Sequence, residues 1–289
     1  MSAAHAGWET DDGWRHEFVD AARAATGGFL FGIPLLYTME VWWTGQRTTP
    51  LRNVALLAIV YLVLLVLHRV SGFRHHADVK LGDASRDAVE ALALGLVLTA
   101  AVLVLLREIT TDTPVGVALS KIVYQSIPFG LGVGVARLFL LGGDDDAAEE
   151  RSAGGGRDGW RGTFADLGAT VLGAVFVGTA IAPTDEIPML ESQMDDQWVL
   201  ALLGASLVIS YVVVFVAGFA GEEQRREHEG VLQHPLTETV VCYLLALVAA
   251  AAMLWLFHRT DGPAALTLNR TIVLGLPTAI GGAAGRLAV

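Results

Sequence analysis

Long apolar runs separated by short polar segments dominate the pattern of this chain. Eight of the runs approach or exceed the roughly 20 residues that a helix needs to cross a bilayer. They lie at residues 21–43, 53–70, 87–106, 116–140, 164–183, 198–217, 236–257 and 267–287. The pattern therefore predicts an all-α, polytopic membrane protein with eight transmembrane helices.

The pattern also occurs twice. Asp12-Gly13-Trp14-Arg15 returns as Asp158-Gly159-Trp160-Arg161, a spacing of 146 residues. The same spacing relates Phe18 to Phe164, Gly27 to Gly173, Gly32 to Gly178, Thr38 to Thr184 and Glu40 to Glu186. A spacing of 149 relates Lys121 to Arg270, Pro128 to Pro277 and Gly132 to Gly281. Such a period indicates two copies of one unit, so residues 1–141 and 158–289 are predicted to form two four-helix membrane repeats.

Residues 142–157 are acidic and glycine-rich, a composition typical of a flexible, solvated linker. Because each copy has an even number of spans, both enter the membrane from the same side and form parallel repeats. The 19 Lys and Arg residues divide thirteen to six in favour of the side that holds the termini. The positive-inside rule therefore predicts a cell-membrane protein with both termini cytoplasmic.

Composition agrees with the membrane class, since 53% of the residues are hydrophobic. The net charge of −11, with only two lysines, is typical of a salt-adapted (halophilic) source and argues against nucleic acid as a partner. Cys242 is the only cysteine, so no disulfide or cysteine metal site can form within the chain. The polar N-terminus lacks the pattern of a cleavable signal peptide.

Duplicated ionisable residues in the spans are the best site candidates. Glu40 and Glu186 occupy equivalent places near the outer end of the first span of each copy, and Asp185 lies beside the second. A charge costs about 2 to 3 kcal/mol at the centre of a membrane helix. One interpretation is a pseudo-symmetric acidic pair that lines an outer site for a small cation or proton. Thr38 and Thr184 would supply hydroxyl ligands or bond back to their own helices.

The same carboxylates have a structural interpretation. Lys121 and Arg270 open the last span of each copy on the same side of the membrane, where Glu40 and Glu186 would pair with them as counter-charges. Such pairs would lock the two repeats together. The two interpretations are compatible if the pairs gate the site.

The repeated DGWR motif begins each copy on the predicted cytoplasmic side. Its charged residues are Arg15, Asp20, Arg161 and Asp166. We interpret it as a short amphipathic helix that its tryptophan anchors at the interface, with each Asp near the Arg about one turn away. Alternatively, the two Asp residues form a cytoplasmic mouth of the same pathway.

Glycine and proline mark several spans. Gly130 and Gly134, like Gly281 and Gly285, have the GxxxG spacing that permits close helix packing and also allows a homodimer. The alternative is that Pro128 and Pro277 leave carbonyls free to line an ion site. Pro34 is expected to bend the first span, and the proline-rich segment 183–188 to end its counterpart earlier.

The sequence lacks the motifs of common enzyme classes. The sequence has no Walker, GxSxG or HExxH motif, and its histidines do not form a ligand pair on a helix. We therefore predict no enzymatic activity, no cofactor and no metal site. Glu90 and Glu238, near the cytoplasmic starts of two spans, are interpreted as helix caps.

GGFLFGIPLLYTMEVWW at residues 27–43 and TDEIPM at residues 184–189 resemble an uncharacterised family of polytopic membrane proteins of archaea and cyanobacteria. The resemblance covers most of the chain apart from the linker. It implies an integral membrane protein and brings no activity, ligand or catalytic residue.

The leading hypothesis is a channel or transporter for a small inorganic cation or proton, with the lipid bilayer as its other partner. The alternative is a non-transporting scaffold or sensor, in which Glu-Lys and Glu-Arg pairs lock the repeats. An intramembrane enzyme would need a nucleophile or a metal set that the sequence does not supply.

Overall fold

The computed structural model describes residues 9–72, 81–141, 159–216 and 235–287, and all the regular elements in them are helices. We label them α1 (Glu9–Leu36), α2 (Met39–Gln46), α3 (Pro50–Gly72), α4 (Leu81–Leu105), α5 (Val115–Leu141), α6 (Gly159–Ile181), α7 (Glu186–Ser192), α8 (Asp196–Tyr211), α9 (Pro235–Leu256) and α10 (Ala264–Leu287). α8 continues into a π-helical turn at Val212–Val216. Residues 142–157, the predicted linker, lie outside the described residues.

Within the described residues, four helices are long and apolar enough to cross a membrane: α3, α4, α8 with its π-helical turn, and α9. The count rises to six if the bent pairs α1–α2 and α6–α7 each form one span. α5 and α10, the predicted fourth and eighth spans, are not among the helices counted in the described residues. Both carry polar side chains, such as Lys121, Gln125 and Arg270. The eight-span architecture therefore stays a prediction.

The outer faces of these helices are apolar. Large hydrophobic side chains are exposed along α3, α4 and α9, including Leu62, Val66, Val97, Leu244 and Val248. In water such a surface would drive association. It fits a chain whose outer faces contact lipid tails.

Each half contains one sharp break in a helix. α1 and α2 meet at 88° and α6 and α7 meet at 86°, at positions that correspond when the two copies are aligned. The sequence predicted a bend at Pro34 and an earlier helix end in the second copy only. In the structure α1 continues past Pro34 to Leu36, and α6 ends at Ile181, one residue before the position that corresponds to Leu36. Both copies therefore break at nearly the same place.

The two breaks have different local causes. Pro183 follows α6, and the residue before a proline is disfavoured in the α conformation. In the first half no proline lies at the break. Instead the Trp42 indole donates a hydrogen bond to the Leu36 carbonyl at 2.8 Å, which satisfies one of the carbonyls left free at the end of α1.

α5 and α10 lie at the centres of their halves. α5 packs against α1, α2, α3 and α4, and α10 packs against α6, α7, α8 and α9. The halves meet where α1 contacts α10 and the π-helical turn, and where α4 contacts α8. The apolar core at this junction draws on both halves and includes Ile33, Leu36, Trp42, Leu103, Phe129, Ile187, Leu190, Leu202 and Leu254.

Glycines bring the central helix of each half into backbone contact with its neighbour. A Cβ atom on Gly27 of α1 would collide with the Gly132 carbonyl of α5, and one on Gly173 of α6 would collide with the Gly281 carbonyl of α10. Gly285 meets the Ala169 carbonyl in the same way. The close packing predicted for Gly281 and Gly285 is confirmed. It occurs within the chain, so these two glycines do not supply a face for a homodimer.

Candidate functional site

Glu186 is the first residue of α7, immediately after the break in the second half. Its side chain is buried, with 6% of the residue exposed. One carboxylate oxygen, Oε1, accepts a hydrogen bond from the Met39 backbone N–H at 3.3 Å. The other, Oε2, is buried and has no hydrogen-bond partner among the described residues. The carboxylate therefore sits inside the junction between the two breaks with half of its hydrogen-bonding capacity unused.

This contact places Glu186 at the N-terminus of α2. Thr38 precedes that helix in an extended conformation, with φ −138° and ψ 102°, and its side chain makes no capping hydrogen bond. The Glu186 carboxylate thus supplies an acceptor that a capping side chain would otherwise supply. The positive end of the helix dipole favours a negative charge there.

The two threonines beside the breaks differ in their contacts. The Thr184 hydroxyl donates to the Ile181 carbonyl at 2.6 Å, which is the bond back to its own helix that the sequence allowed. Thr38 is half-buried. A role for either hydroxyl as an ion ligand stays a prediction.

Glu40 differs from its counterpart. It lies in the first turn of α2, it is exposed, and no ion pair involving it occurs in the described part of the chain. Of the two carboxylates predicted to form a symmetric acidic pair, only Glu186 is buried. The Met39 N–H at the N-terminus of α2 contacts the second half, whereas the next residue, Glu40, is exposed.

Lys121 was predicted to pair with Glu40, and this pairing was wrong. Its ammonium contacts the Glu108 carboxylate, with Nζ 2.7 Å from Oε2, and it also donates to the Glu108 carbonyl at 2.8 Å. Both side chains are buried, with 6% and 4% exposed. A pair this well buried is stable only because several hydrogen bonds satisfy its charges.

Arg270 was predicted to pair with Glu186, and the structure shows a different contact. The guanidinium donates through Nη1 to the Arg259 carbonyl at 3.0 Å. Asp185, expected to assist Glu186, is exposed and pairs instead with Arg259, with Nη1 2.8 Å from Oδ1. No basic side chain forms an ion pair with Glu186 within the described ranges.

The two basic residues nevertheless perform the same structural role. A residue with left-handed backbone follows the end of each helix: Arg107 (φ 63°) follows α4, and His258 (φ 56°) follows α9. The following N–H closes the helix end in both, from Glu108 to the Leu103 carbonyl at 2.9 Å and from Arg259 to the Leu254 carbonyl at 2.8 Å. Lys121 and Arg270 then bind the carbonyl of residues 108 and 259 respectively.

Glu108 and its neighbours form a polar junction that the sequence interpretation missed. The Gln193 amide donates to Glu108 Oε1 at 3.2 Å, and the Arg107 guanidinium lies 4.9 Å from the centre of the Trp198 ring. The Trp198 indole also donates to the Leu105 carbonyl. These contacts join the end of α4 to the second half. The two residues are only 13 positions apart in the sequence. A search for an acidic and a basic residue at short separation, between two apolar runs, would have found the pair.

A second polar feature is a small cavity between α6, α8, α9 and α10. The cavity has a volume of about 10 Å³, which is room for about one water molecule. Its walls are formed by Thr170, Ser210, Val214, Thr239, Cys242, Tyr243, Ala279, Ala283 and Arg286. The Ser210 hydroxyl is buried and has no hydrogen-bond partner among the described residues.

Arg286 closes one end of the cavity. It is 1% exposed, lies 5.6 Å from the centre of the Phe215 ring and forms an ion pair with Glu238. Glu238 therefore does more than cap α9. Glu90, its counterpart in α4, pairs with Arg86 at 3.2 Å on an exposed face.

The repeated cytoplasmic motif is described only in part. Asp20 is exposed and its carboxylate lies 3.9 Å from Arg23, one turn further along α1. Trp14 is 74% exposed, as a residue anchored in the membrane interface would be. The side chains of Arg15, Arg161 and Asp166 lie outside the described residues, so their predicted contacts stay predictions.

Comparison with known proteins gives a family without an assigned activity. Residues 20–289 match the model of the family described as "Putative integral membrane protein (DUF2391)". No curated protein and no solved structure matches the chain.

Proposed function

Because the chain belongs to this family of integral membrane proteins over residues 20–289, we propose that it carries a proton or another small cation across the cell membrane, with Glu186 as the ion-binding group. The observation that carries this proposal is a buried carboxylate at a helix break, without a basic partner in the described residues and with one free oxygen. Ionisable side chains in such positions are typical of ion pathways.

The energetic balance favours ion binding at Glu186. Burial of a carboxylate without a counter-charge disfavours its charged form. The single backbone N–H at the N-terminus of α2 offsets part of this cost. A bound proton or cation would neutralise the charge and remove the rest.

The proposal includes the architecture predicted from the sequence, with two parallel repeats of four crossings and both termini cytoplasmic. Three matched features support it: the breaks at 88° and 86°, the glycine contacts of α1–α5 and α6–α10, and the left-handed residues that follow α4 and α9. α5 and α10 would be the fourth and eighth crossings, since neighbouring helices cover their polar residues. Residues 271–283 of α10 are all buried.

Ion flux into liposomes tests the role of Glu186. We expect Glu186→Gln to reduce proton or cation flux by about tenfold or more. A tenfold reduction requires the free-energy barrier to ion passage to rise by only about 1.4 kcal/mol. Glu40→Gln is the matched control, because it makes the same change at the equivalent, exposed position and should leave the flux intact. Equal flux in Glu186→Gln and in the unmodified protein would show that Glu186 is not part of the ion pathway.

A non-transporting scaffold is the second candidate. The junction of Glu108 with Lys121 and Gln193, together with Arg107 on Trp198, favours it because these contacts hold the two halves together. A scaffold requires no flux. Proteoliposomes of the unmodified protein that pass neither protons nor metal cations above the background of empty liposomes would support the scaffold and contradict transport.

A further inference from the structure

Two buried hydroxyl groups line the small cavity between α6, α8, α9 and α10, and neither has a hydrogen-bond partner among the described residues. We infer that the cavity is a binding site for one water molecule, which bridges the Ser210 hydroxyl of α8 and the Tyr243 hydroxyl of α9. The site lies in the second half and is independent of the role proposed for Glu186.

Ser210 departs from the usual behaviour of a hydroxyl in a helix, which bonds back to the carbonyl about one turn earlier. Ser206, one turn before it in α8, donates to the Leu202 carbonyl at 2.7 Å. Thr271 and Thr278 of α10 bond back in the same way, at 2.8 and 3.0 Å. Ser210 is 7% exposed and makes no such bond. Its hydroxyl therefore lines the cavity without serving its own helix.

Tyr243 brings a second hydroxyl to the same space. The residue is 3% exposed, and a Cβ atom on Gly275 of α10 would lie 3.4 Å from its hydroxyl oxygen. A buried tyrosine hydroxyl usually has a partner, as that of Tyr37 has in the Val273 carbonyl. Burying a hydroxyl without a hydrogen bond is costly. Two such groups beside one cavity indicate a partner that both share.

The size and the walls of the cavity suit a water molecule. Its volume of about 10 Å³ admits about one, and a buried water makes about two to four hydrogen bonds. Ser210 and Tyr243 supply two of these. The Thr239 hydroxyl, which also lines the cavity, donates its proton to the Pro235 carbonyl at 2.8 Å and can accept a third bond.

The charges around the cavity favour a neutral occupant over an ion. Arg286 lies in the wall and is 1% exposed, and its ion pair with Glu238 balances its charge. A buried ion would need a counter-charge of its own. The guanidinium also repels a cation, and a chloride ion is larger than a water molecule. Water needs only the hydroxyl groups.

The backbone beside the cavity is specialised as well. Ser210 is followed closely by the π-helical turn Val212–Val216, of which Val214 lines the cavity. Such turns frequently occur at functional sites. In the first half α3 is an α-helix from Pro50 to Gly72, and the residue that corresponds to Ser210, Leu64, is completely buried in an apolar cluster. The water site therefore belongs to the second copy.

The sign of one stability change tests whether water is bound. With a bridging water, Ser210→Ala removes a hydrogen bond, and we expect the equilibrium constant of unfolding to rise by about two- to tenfold. In a dry cavity the same substitution removes a buried group that has no partner, so the constant would stay the same or fall. Tyr243→Phe obeys the same argument and keeps the test informative if Ser210→Ala does not fold. Reversible unfolding in mixed micelles, followed by tryptophan fluorescence, measures both.

A double variant tests whether the two hydroxyls share one partner. Once either is gone the water is held less strongly, so the second substitution should cost less. We expect the constant for Ser210→Ala, Tyr243→Phe to lie at least about twofold below the product of the two single effects. Ser126→Ala is the control, because its buried hydroxyl donates to the Val123 carbonyl at 2.8 Å in the first half. Combined with Tyr243→Phe, it should give the simple product.

A crystal structure of the unmodified protein grown in sodium bromide identifies the occupant. We expect density for one oxygen atom between the Ser210 and Tyr243 hydroxyls, without an anomalous signal from bromide. An anomalous peak there would show an anion site and overturn the inference. A Ser210→Ala variant at least as stable as the unmodified protein, or a double variant that gives the simple product, would overturn it too. None of these outcomes bears on Glu186, which the flux measurement tests separately.

Discussion

Replacing Lys121 with Met will lower the free energy of unfolding by about 3 to 5 kcal/mol, the usual cost of removing one partner of a buried ion pair. The substitution leaves the Glu108 carboxylate, with 4% exposed, without its counter-charge in the core. It also removes the hydrogen bond from the Lys121 ammonium to the Glu108 carbonyl at the end of α4. Reversible unfolding of the purified protein in mixed micelles, followed by tryptophan fluorescence, measures the difference.

An exposed pair is the control. Arg86→Met breaks the contact with Glu90, where the Arg86 side chain is 82% exposed, and should cost at most about 1 kcal/mol. The double variant Glu108→Gln, Lys121→Met should recover part of the loss, because it leaves no unpaired charge behind. A cost for Lys121→Met as small as that of Arg86→Met would show that the buried pair does not hold the end of α4.

Gly173→Ala will destabilise the protein by about 3 kcal/mol, near the upper end of the costs of overpacking. The new methyl group would enter the space of the Gly281 backbone carbonyl, which cannot move without shifting α10. α10 contacts α1 of the first half as well, so the shift would disturb the junction between the halves. The same unfolding measurement quantifies the loss.

Gly168→Ala makes the identical change in the same helix. Among the described residues, no atom beyond its chain neighbours and the adjacent backbone of its own helix lies within 4 Å of the position that the methyl group would occupy. Alanine is the better helix former by about 0.5 to 1 kcal/mol, so this variant should be neutral or more stable. Equal losses for Gly168→Ala and Gly173→Ala would mean that helix propensity, and not the close contact of α6 with α10, governs the effect.

The helices were predictable because crossing a bilayer restricts the chain so strongly. Long apolar runs identified α3, α4, α8 and α9, and the breaks occur beside the repeated Glu residues that the sequence had marked. The glycine contacts followed from the same repeat. The apolar runs determine local structure without knowledge of the packing, whereas the partner of each glycine depends on how the helices pack.

The ion pairs were not predictable by the same means. The search relied on residues shared by both copies, and Glu108 corresponds to a basic residue, Arg259, at the equivalent helix end. Glu40 and Glu186 are chemically alike, yet one is exposed and the other buried. That difference arises from how the two halves pack against each other, which a repeat in the sequence does not specify. Ser210 was not predicted as a site residue for the same reason, because its counterpart in the first copy is Leu64.

The central claim is that Glu186 is the ion-binding group inside the folded protein. Infrared difference spectroscopy tests most directly whether its carboxylate takes up a proton there. The protein, purified and returned to lipid, is cycled between acidic and neutral pH while the C=O stretch of a protonated carboxylic acid is recorded. We predict a band from a carboxylic acid in dry surroundings that is present in the unmodified protein and in Glu40→Gln and is missing in Glu186→Gln. The same band at full strength in Glu186→Gln, or no such band in the unmodified protein at any pH, would contradict the account.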